Sequence, residues 1–457
     1  MKKTLLALLL PLGLSACASY QSLPLQDRPT WSSDLNAIAR VTAEPAELAF
    51  PALPPHAFAP TADGLDMTDV SILAVLNNPD LRLARDDAHV THAQAFSASL
   101  LPDPQLAMSG DFKRNPDPGS SSGYTIGPSY DFGSLLTHGT LADAADKEAH
   151  KADLNLLWQE WQVIAQARLL FIRIVEGQRL QKLLSDQQAF LEQRVAQTQQ
   201  ALARKLITLD VSGAAFTALQ DVRRQRFDLD KQQNQFRHDL NNLLGLAPEV
   251  QVPLKPQIDL PPLDRTSIDA ILPQLPSRRP DLMALRSGYE AQDQRYRAAI
   301  IAQFPALNIG LNRARDTSNV PSQGFSVSIS LPVFNRNRGN IAIEKATRQK
   351  LHDEYQQRLN LAYSDVDRLM QEQALNLRQL QQSEQGVRQL AQQRANVMTA
   401  FRAHNLDTLV LMNIETALLA KQTEALALEQ AALEQRVALQ GVIGGELPLQ
   451  LQRKSQP

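Results

Sequence analysis

Two stretches of this chain, about 200 residues apart, carry the same pattern, and each contains a pair of strand-like segments between long helix-forming runs. Asn78-Pro79-Asp80-Leu81 returns as Arg279-Pro280-Asp281-Leu282, Pro104-Gln105-Leu106 as Pro305-Ala306-Leu307, and Gly123-Tyr124 as Gly324-Phe325. Between these landmarks apolar and polar side chains alternate. Leu106, Met108 and Phe112 are interleaved with Gln105, Ser109 and Asp111. Tyr124, Ile126, Pro128, Tyr130 and Phe132 are interleaved with Thr125, Gly127, Ser129 and Asp131. In the second copy Leu307, Ile309 and Leu311 alternate with Asn308, Gly310 and Asn312, and Phe325, Val327, Ile329, Leu331 and Val333 with small or polar residues. A period of two gives each strand one wet and one greasy face. The expected strands are 104–113, 122–132, 305–315 and 324–334. Four strands cannot close a barrel alone, so the greasy face and both sheet edges need a core or partner chains to cover them.

The remainder of each copy reads as helix. Ser129 to Ala247 and Val333 to Leu447 contain no proline. Leu184, Leu191, Val195, Leu202 and Leu206 recur at sevens and fours, as do Val387, Ala391, Arg394, Val397 and Phe401 at threes and fours, which are coiled-coil intervals. A helix from about Thr140 to Arg204 is roughly 100 Å long, a rod rather than a globular element. Breaks are expected near Leu206-Ile207-Thr208 and His404-Asn405. Each copy then opens with its own helix, from Met67 toward Leu100 with Thr68 as cap, and from Ser267 to Gln303. The fold class is mainly α with a small β part. Scarce aromatics, 5%, suit long interlocking helices better than a compact enzyme, and a net charge of -2 gives no footprint for nucleic acid.

The N-terminus has the form of a targeting signal. Lys2-Lys3 precedes a short apolar run, Leu5 to Leu14, and then Leu14-Ser15-Ala16-Cys17. The run is too short to span a bilayer. It resembles a bacterial lipoprotein signal, which implies cleavage after Ala16, lipidation of Cys17, and, with Ala18 following, delivery to the outer membrane. Cys17 is the only cysteine, so no disulfide is expected. The expected organisation is a signal peptide (1–16), a lipidated extended arm rich in Pro and Ala (17–65), a first repeat (66–245), a proline-rich linker (246–265), a second repeat (266–445) and a tail (446–457).

The strand-to-helix passage 325–341 (FSVSISLPVFNRNRGNI), with Arg279-Pro280-Asp281-Leu282 and the Leu-Asp pairs at both helical turns, resembles the TolC-type outer-membrane efflux family. Phe334 to Asn340 is most similar to its cobalt–zinc–cadmium (CzcC-like) branch. The first copy departs at Tyr130-Asp131-Phe132-Gly133-Ser134, which lacks the Asn-Arg pattern. The resemblance implies a homotrimer, a twelve-stranded outer-membrane barrel continued by a periplasmic helical barrel, and a belt made of the arm, the linker and the tail. It also implies a periplasmic adaptor and an inner-membrane pump, proton-driven, docking at the tip. The implied function is a passive exit duct for heavy-metal cations. The alternatives are a duct for a drug or small-molecule pump or a type I secretion system, or a lipid-tethered structural coiled coil, which would have no use for four alternating strands.

Asp210 and Asp407 follow leucines just past the two turns. Threefold rings of these carboxylates would attract cations and hold a gate. Equally, each fits a first-turn residue complementing a helix dipole, with Thr208 and Asn405 as caps. Arg204, Lys205 and Arg402 before the turns would touch the adaptor, or simply complement helix C-termini. His89 and His92 share a helix face but lack a third ligand, and His138 and His404 stand alone, so no metal site and no cofactor are expected. Trp158 and Trp161 suit either a membrane-interface belt or helix packing; Tyr124 and Tyr130 suit an aromatic girdle. No nucleophile elbow, P-loop, zinc-protease or dinucleotide motif is present.

Overall fold

The computed structural model describes residues 20–35, 38, 64–112, 114, 121–260, 264–403 and 405–444. The signal, Cys17, most of the N-terminal arm, His404 and the tail lie outside them.

The first repeat opens with α1 (Met67–Asn77) and α2 (Pro79–Ser99), where one continuous helix was expected. Pro79 cannot donate into a helix from the preceding turn, so the chain restarts there with proline at the first helical position. Asn78 caps the restart, its side chain accepting from the Leu81 N–H at 2.9 Å. The cap of α1 is Asp66 rather than Thr68. Its carboxylate accepts from the Thr68 and Asp69 N–H groups, and Asp69 accepts from the Asp66 N–H at 3.0 Å, a closed capping box.

Strands β1 (Gln105–Asp111) and β2 (Gly123–Asp131) run directly into α3 (Phe132–Ala203), a single helix of 72 residues. It starts earlier than the expected Thr140 because Asp131 caps it, accepting from the Gly133 N–H at 2.8 Å. Its length of roughly 108 Å follows from 1.5 Å per residue. It turns back into α4 (Leu209–Leu243). The two cross closely at Gly177, where a Cβ would meet the Gln233 amide at 1.8 Å; that amide donates to the Arg173 carbonyl at 3.0 Å.

The second repeat follows the same plan. The expected helix 267–303 is three pieces, α5 (Arg265–Ile271), α6 (Leu275–Arg278) and α7 (Pro280–Ile301), with a 3-10 turn between the first two. Pro273, Pro276 and Pro280 force the interruptions. Then come β3 (Leu307–Arg315), β4 (Pro321–Ile329), α8 (Arg338–Arg402) and α9 (Thr408–Ile443). The fourth strand is earlier than the expected 324–334. Its pairing ends with the Ser330 N–H on the Ala306 carbonyl at 3.1 Å, just before Pro332, which has no N–H to offer.

The main core lies where α1 packs on the middle of α3 and the end of α4, around Leu73, Phe171, Ile172, Val175, Leu240 and Leu244. The arm and the linker meet beside it. Ser32 and Leu65 form parallel bridges with Leu246 and Leu254, with N–H to carbonyl distances of 2.8–3.0 Å.

Candidate functional site: an apolar strand wall and a helical tip

The four strands form one antiparallel sheet in the order β1-β2-β3-β4. The register sets the side chains in rows across it. Leu106, Pro128 and Phe325 share a row with Leu311, and Tyr130, Ile309 and Val327 form the next row toward the helices. In the opposite direction lie the row Met108, Ile126, Arg313, Gln323 and then Gly110, Tyr124, Arg315, Pro321. The apolar members are open to the outside: Met108 is 73% exposed, Leu311 63% and Phe325 76%. The other face carries only small or polar groups, among them Thr125, Gly127, Ser129, Asn308, Gly310, Asn312, Ser326 and Ser328. Gly127 sits so near β3 that a Cβ would meet the Leu311 carbonyl at 1.9 Å. Pro128 withholds an N–H beside it, so the β2–β3 ladder is interrupted there. Strands β1 and β4 each have an edge with no partner strand among the described residues.

Tyr124 and Tyr130 both lie on the apolar face, near opposite ends. Tyr124 sits beneath the Arg315 guanidinium at 5.5 Å, and Tyr130 meets Phe132 edge-on at 5.3 Å. The tryptophans do not join them. Trp161 is buried with Leu154, Leu157 and Met283, and Trp158 packs on this cluster beneath Arg279 at 5.2 Å. Their role is helix packing.

The two helical turns gather at one end of the molecule, where Leu191, Val195, Ala215, Leu219 and Met412 form a core from α3, α4 and α9. Helix α3 ends in a Schellman turn. Lys205 takes a left-handed conformation, φ 60°, and the Lys205 and Leu206 N–H groups donate to the Leu202 and Ala201 carbonyls at 2.8 and 2.9 Å. At the end of α8 the Asn405 N–H makes the corresponding bond to the Ala400 carbonyl at 2.9 Å. Arg204, Lys205 and Arg402 are all exposed.

Asp210 is exposed in the first turn of α4. The Thr208 hydroxyl, with help from the Asp210 and Val211 N–H groups, holds its carboxyl below the usual carboxylate range. Thr208 stands at the cap position but makes no capping bond to the backbone. In the second copy the cap is Asp407 itself, accepting from the Leu409 N–H at 3.4 Å, and not Asn405. Both aspartates therefore serve helix starts.

Sequence reasoning missed what fastens this end. Arg394 lies 2.6 Å from Glu415, whose side chain is only 3% exposed. Arg194 is sandwiched between the Phe190 and Phe401 rings at 5.1 and 5.2 Å, tying α3 to α8. An arginine at an apolar heptad position, 394, was the available signal. Of the histidines, His92 faces Asp153 at 2.7 Å and His89 is exposed. Among the described residues no group of three or more potential ligands could hold a metal ion.

Residues 271–445, nearly all of the second repeat, match the family described as outer membrane efflux protein. Over 180 residues the chain is 26% identical to the pyoverdine export outer membrane protein OpmQ of Pseudomonas aeruginosa; the match spans 38% of each chain. The whole architecture is similar to CusC, a transmembrane channel (17% identity, TM-score 0.71, 84% of this chain and 94% of that one). It is equally similar to the outer membrane channel MtrE of Neisseria gonorrhoeae (17% identity, TM-score 0.70, 94% and 97%). The chain has the TolC-like fold of these channels.

Proposed function

We propose that three copies of this chain form the outer-membrane exit duct of a tripartite exporter. The observation that carries the reading is one sheet whose exposed face is apolar from its helical end to its middle and which, among the described residues, has two unpaired edges, rising from helices of 72 and 65 residues. In lipid every edge must be paired, and four strands from each of three copies close a ring with β4 of one beside β1 of the next. The small polar face then lines a wet lumen. Long amphipathic helices continue the duct through the periplasm, with the arm, linker and tail as its belt. The duct is passive and performs no chemical step. Cys17 carries the lipid, a periplasmic adaptor meets Arg204, Lys205 and Arg402 at the tip, and a proton-driven inner-membrane pump supplies the energy. Asp210 and Asp407 contribute to the gate.

For cargo, the resemblance of Phe334 to Asn340 to the metal branch supports heavy-metal cations. A second reading, a small organic molecule, is supported by the likeness to a pyoverdine exporter. Deleting the gene and measuring tolerance to zinc, cobalt and cadmium beside pyoverdine release separates the two. Native mass measurement and planar-bilayer recording of the purified protein test the duct: a monomer without conductance would sink it. Mass analysis of the mature N-terminus tests lipidation at Cys17.

A further inference from the structure

We infer that Arg313 and Arg315 bind the phosphate groups of an anionic membrane lipid at the hairpin end of the apolar face. The inference rests on the barrel reading, since it needs that face to lie in a membrane.

The two arginines are two residues apart on one strand, so both side chains leave the same face, about 7 Å from each other. The register places that face: they share rows with Met108, Ile126 and Tyr124, not with the small polar residues opposite. A charge in mid-bilayer is costly, but at the rim of the apolar band an arginine reaches the headgroups. The face is asymmetric in this respect. The rows at its helical end hold Tyr130, Ile309, Val327, Leu307 and Ile329, with no charge. Among the described residues the ion pairs include neither arginine. Arg315 is held over Tyr124 at 5.5 Å, and its Nε is buried without a hydrogen-bond partner. A guanidinium fixed on a ring loses little freedom when its fork takes two oxygens of a phosphate. Threefold assembly would set six such groups around the rim.

The test uses the full-length chain in uncharged detergent, with thermal unfolding followed on adding bisphosphorylated lipid A, the same lipid stripped of both phosphates, or inorganic phosphate. The phosphorylated lipid alone should raise the melting temperature. Arg313→Gln with Arg315→Gln should weaken its half-saturation about 25-fold, at about fivefold per arginine. Arg313→Lys with Arg315→Lys should keep part of the response. Equal stabilisation by the dephosphorylated lipid, equal stabilisation by inorganic phosphate, or a glutamine variant that titrates like the wild type would each overturn the inference. Flotation with zwitterionic vesicles separates the two levels. Wild type that inserts but shows no phosphate preference refutes the lipid site and leaves the barrel standing; wild type that inserts nowhere refutes both.

Discussion

Positions 78 and 279 do one job with different side chains. The Asn78 amide donates to the Leu243 carbonyl at 3.1 Å, and the Arg279 guanidinium to the Val442 carbonyl at 3.3 Å, each tying the last turn of a medium helix to the repeat's opening helices. Arg279 also forks onto Asp281 at 3.0 and 2.7 Å, with both side chains buried. Among the described residues, Arg279→Ala leaves Asp281 with Arg358, at 3.7 Å, as its remaining ion-pair partner. Removing one member of a buried pair costs about 3–5 kcal/mol, to be seen as a lowered unfolding midpoint. The tip aspartates are different, because they are exposed. The depressed pKa of Asp210 adds stability that is present above its unfolded value and lost as pH falls through the folded one. Asp210→Asn should therefore flatten the acid side of the stability profile. If the carboxylates also hold the gate, Asp407→Asn with Asp210→Asn should raise bilayer conductance and lower cation preference. Exposed ion pairs contribute about 0–1 kcal/mol each, but symmetry would triple any bias. Unchanged recordings would confine both residues to starting helices.

At the scale of elements, the strands and the rods were legible because their patterns are long and have a single period. Alternation over Tyr124 to Asp131 and heptads over Leu184 to Leu206 leave little choice of structure. What failed was punctuation. The helices 67–100 and 267–303 read as continuous, yet Pro79 and Pro280 each restart one, because a proline that is tolerated at a first turn is indistinguishable by period from one inside. The Asn-Arg-Asn passage carried a resemblance but no geometry. Arg336 and Asn337 are both left-handed, and the Asn337 amide donates to the Ala299 carbonyl at 2.8 Å, closing the end of α7 against the start of α8. Pairings between helices were not legible at all, since a heptad shows that a face is buried without naming its partner. Arg394 and Glu415 are the case with a consequence. Arg394→Ala should strand a buried carboxylate, and because Arg394 itself is 41% exposed the cost should be about 1–3 kcal/mol, whereas Arg394→Met with Glu415→Leu should restore most of it. A double-mutant cycle in denaturant reads the difference, and a near-zero coupling would show that the contact does not fasten the tip.

For the whole molecule, the sheet's two faces make opposite demands, and the chain alone satisfies neither. Leu311 lies in the central strand, in a row with Leu106, Pro128 and Phe325, and is 63% exposed. If that face meets lipid, Leu311→Arg places a charge deep in the apolar band. The cost is about 2–4 kcal/mol per copy, and three copies carry it together. Assembly in membranes should fail while the helical part still unfolds cooperatively in detergent. Ser328→Arg changes the other face, opposite Asn308, at an exposed position. There an arginine would stand in water, so insertion and trimer formation should be nearly normal. Its effect should be electrical: three added charges around the lumen lower cation preference without abolishing conductance. The pair of variants discriminates because the residues lie on neighbouring strands and receive the same new side chain, so only the direction in which it points differs. If both insert equally well, the apolar face is covered by protein rather than lipid. The four strands would then be the lid of a helical bundle and not one third of a barrel.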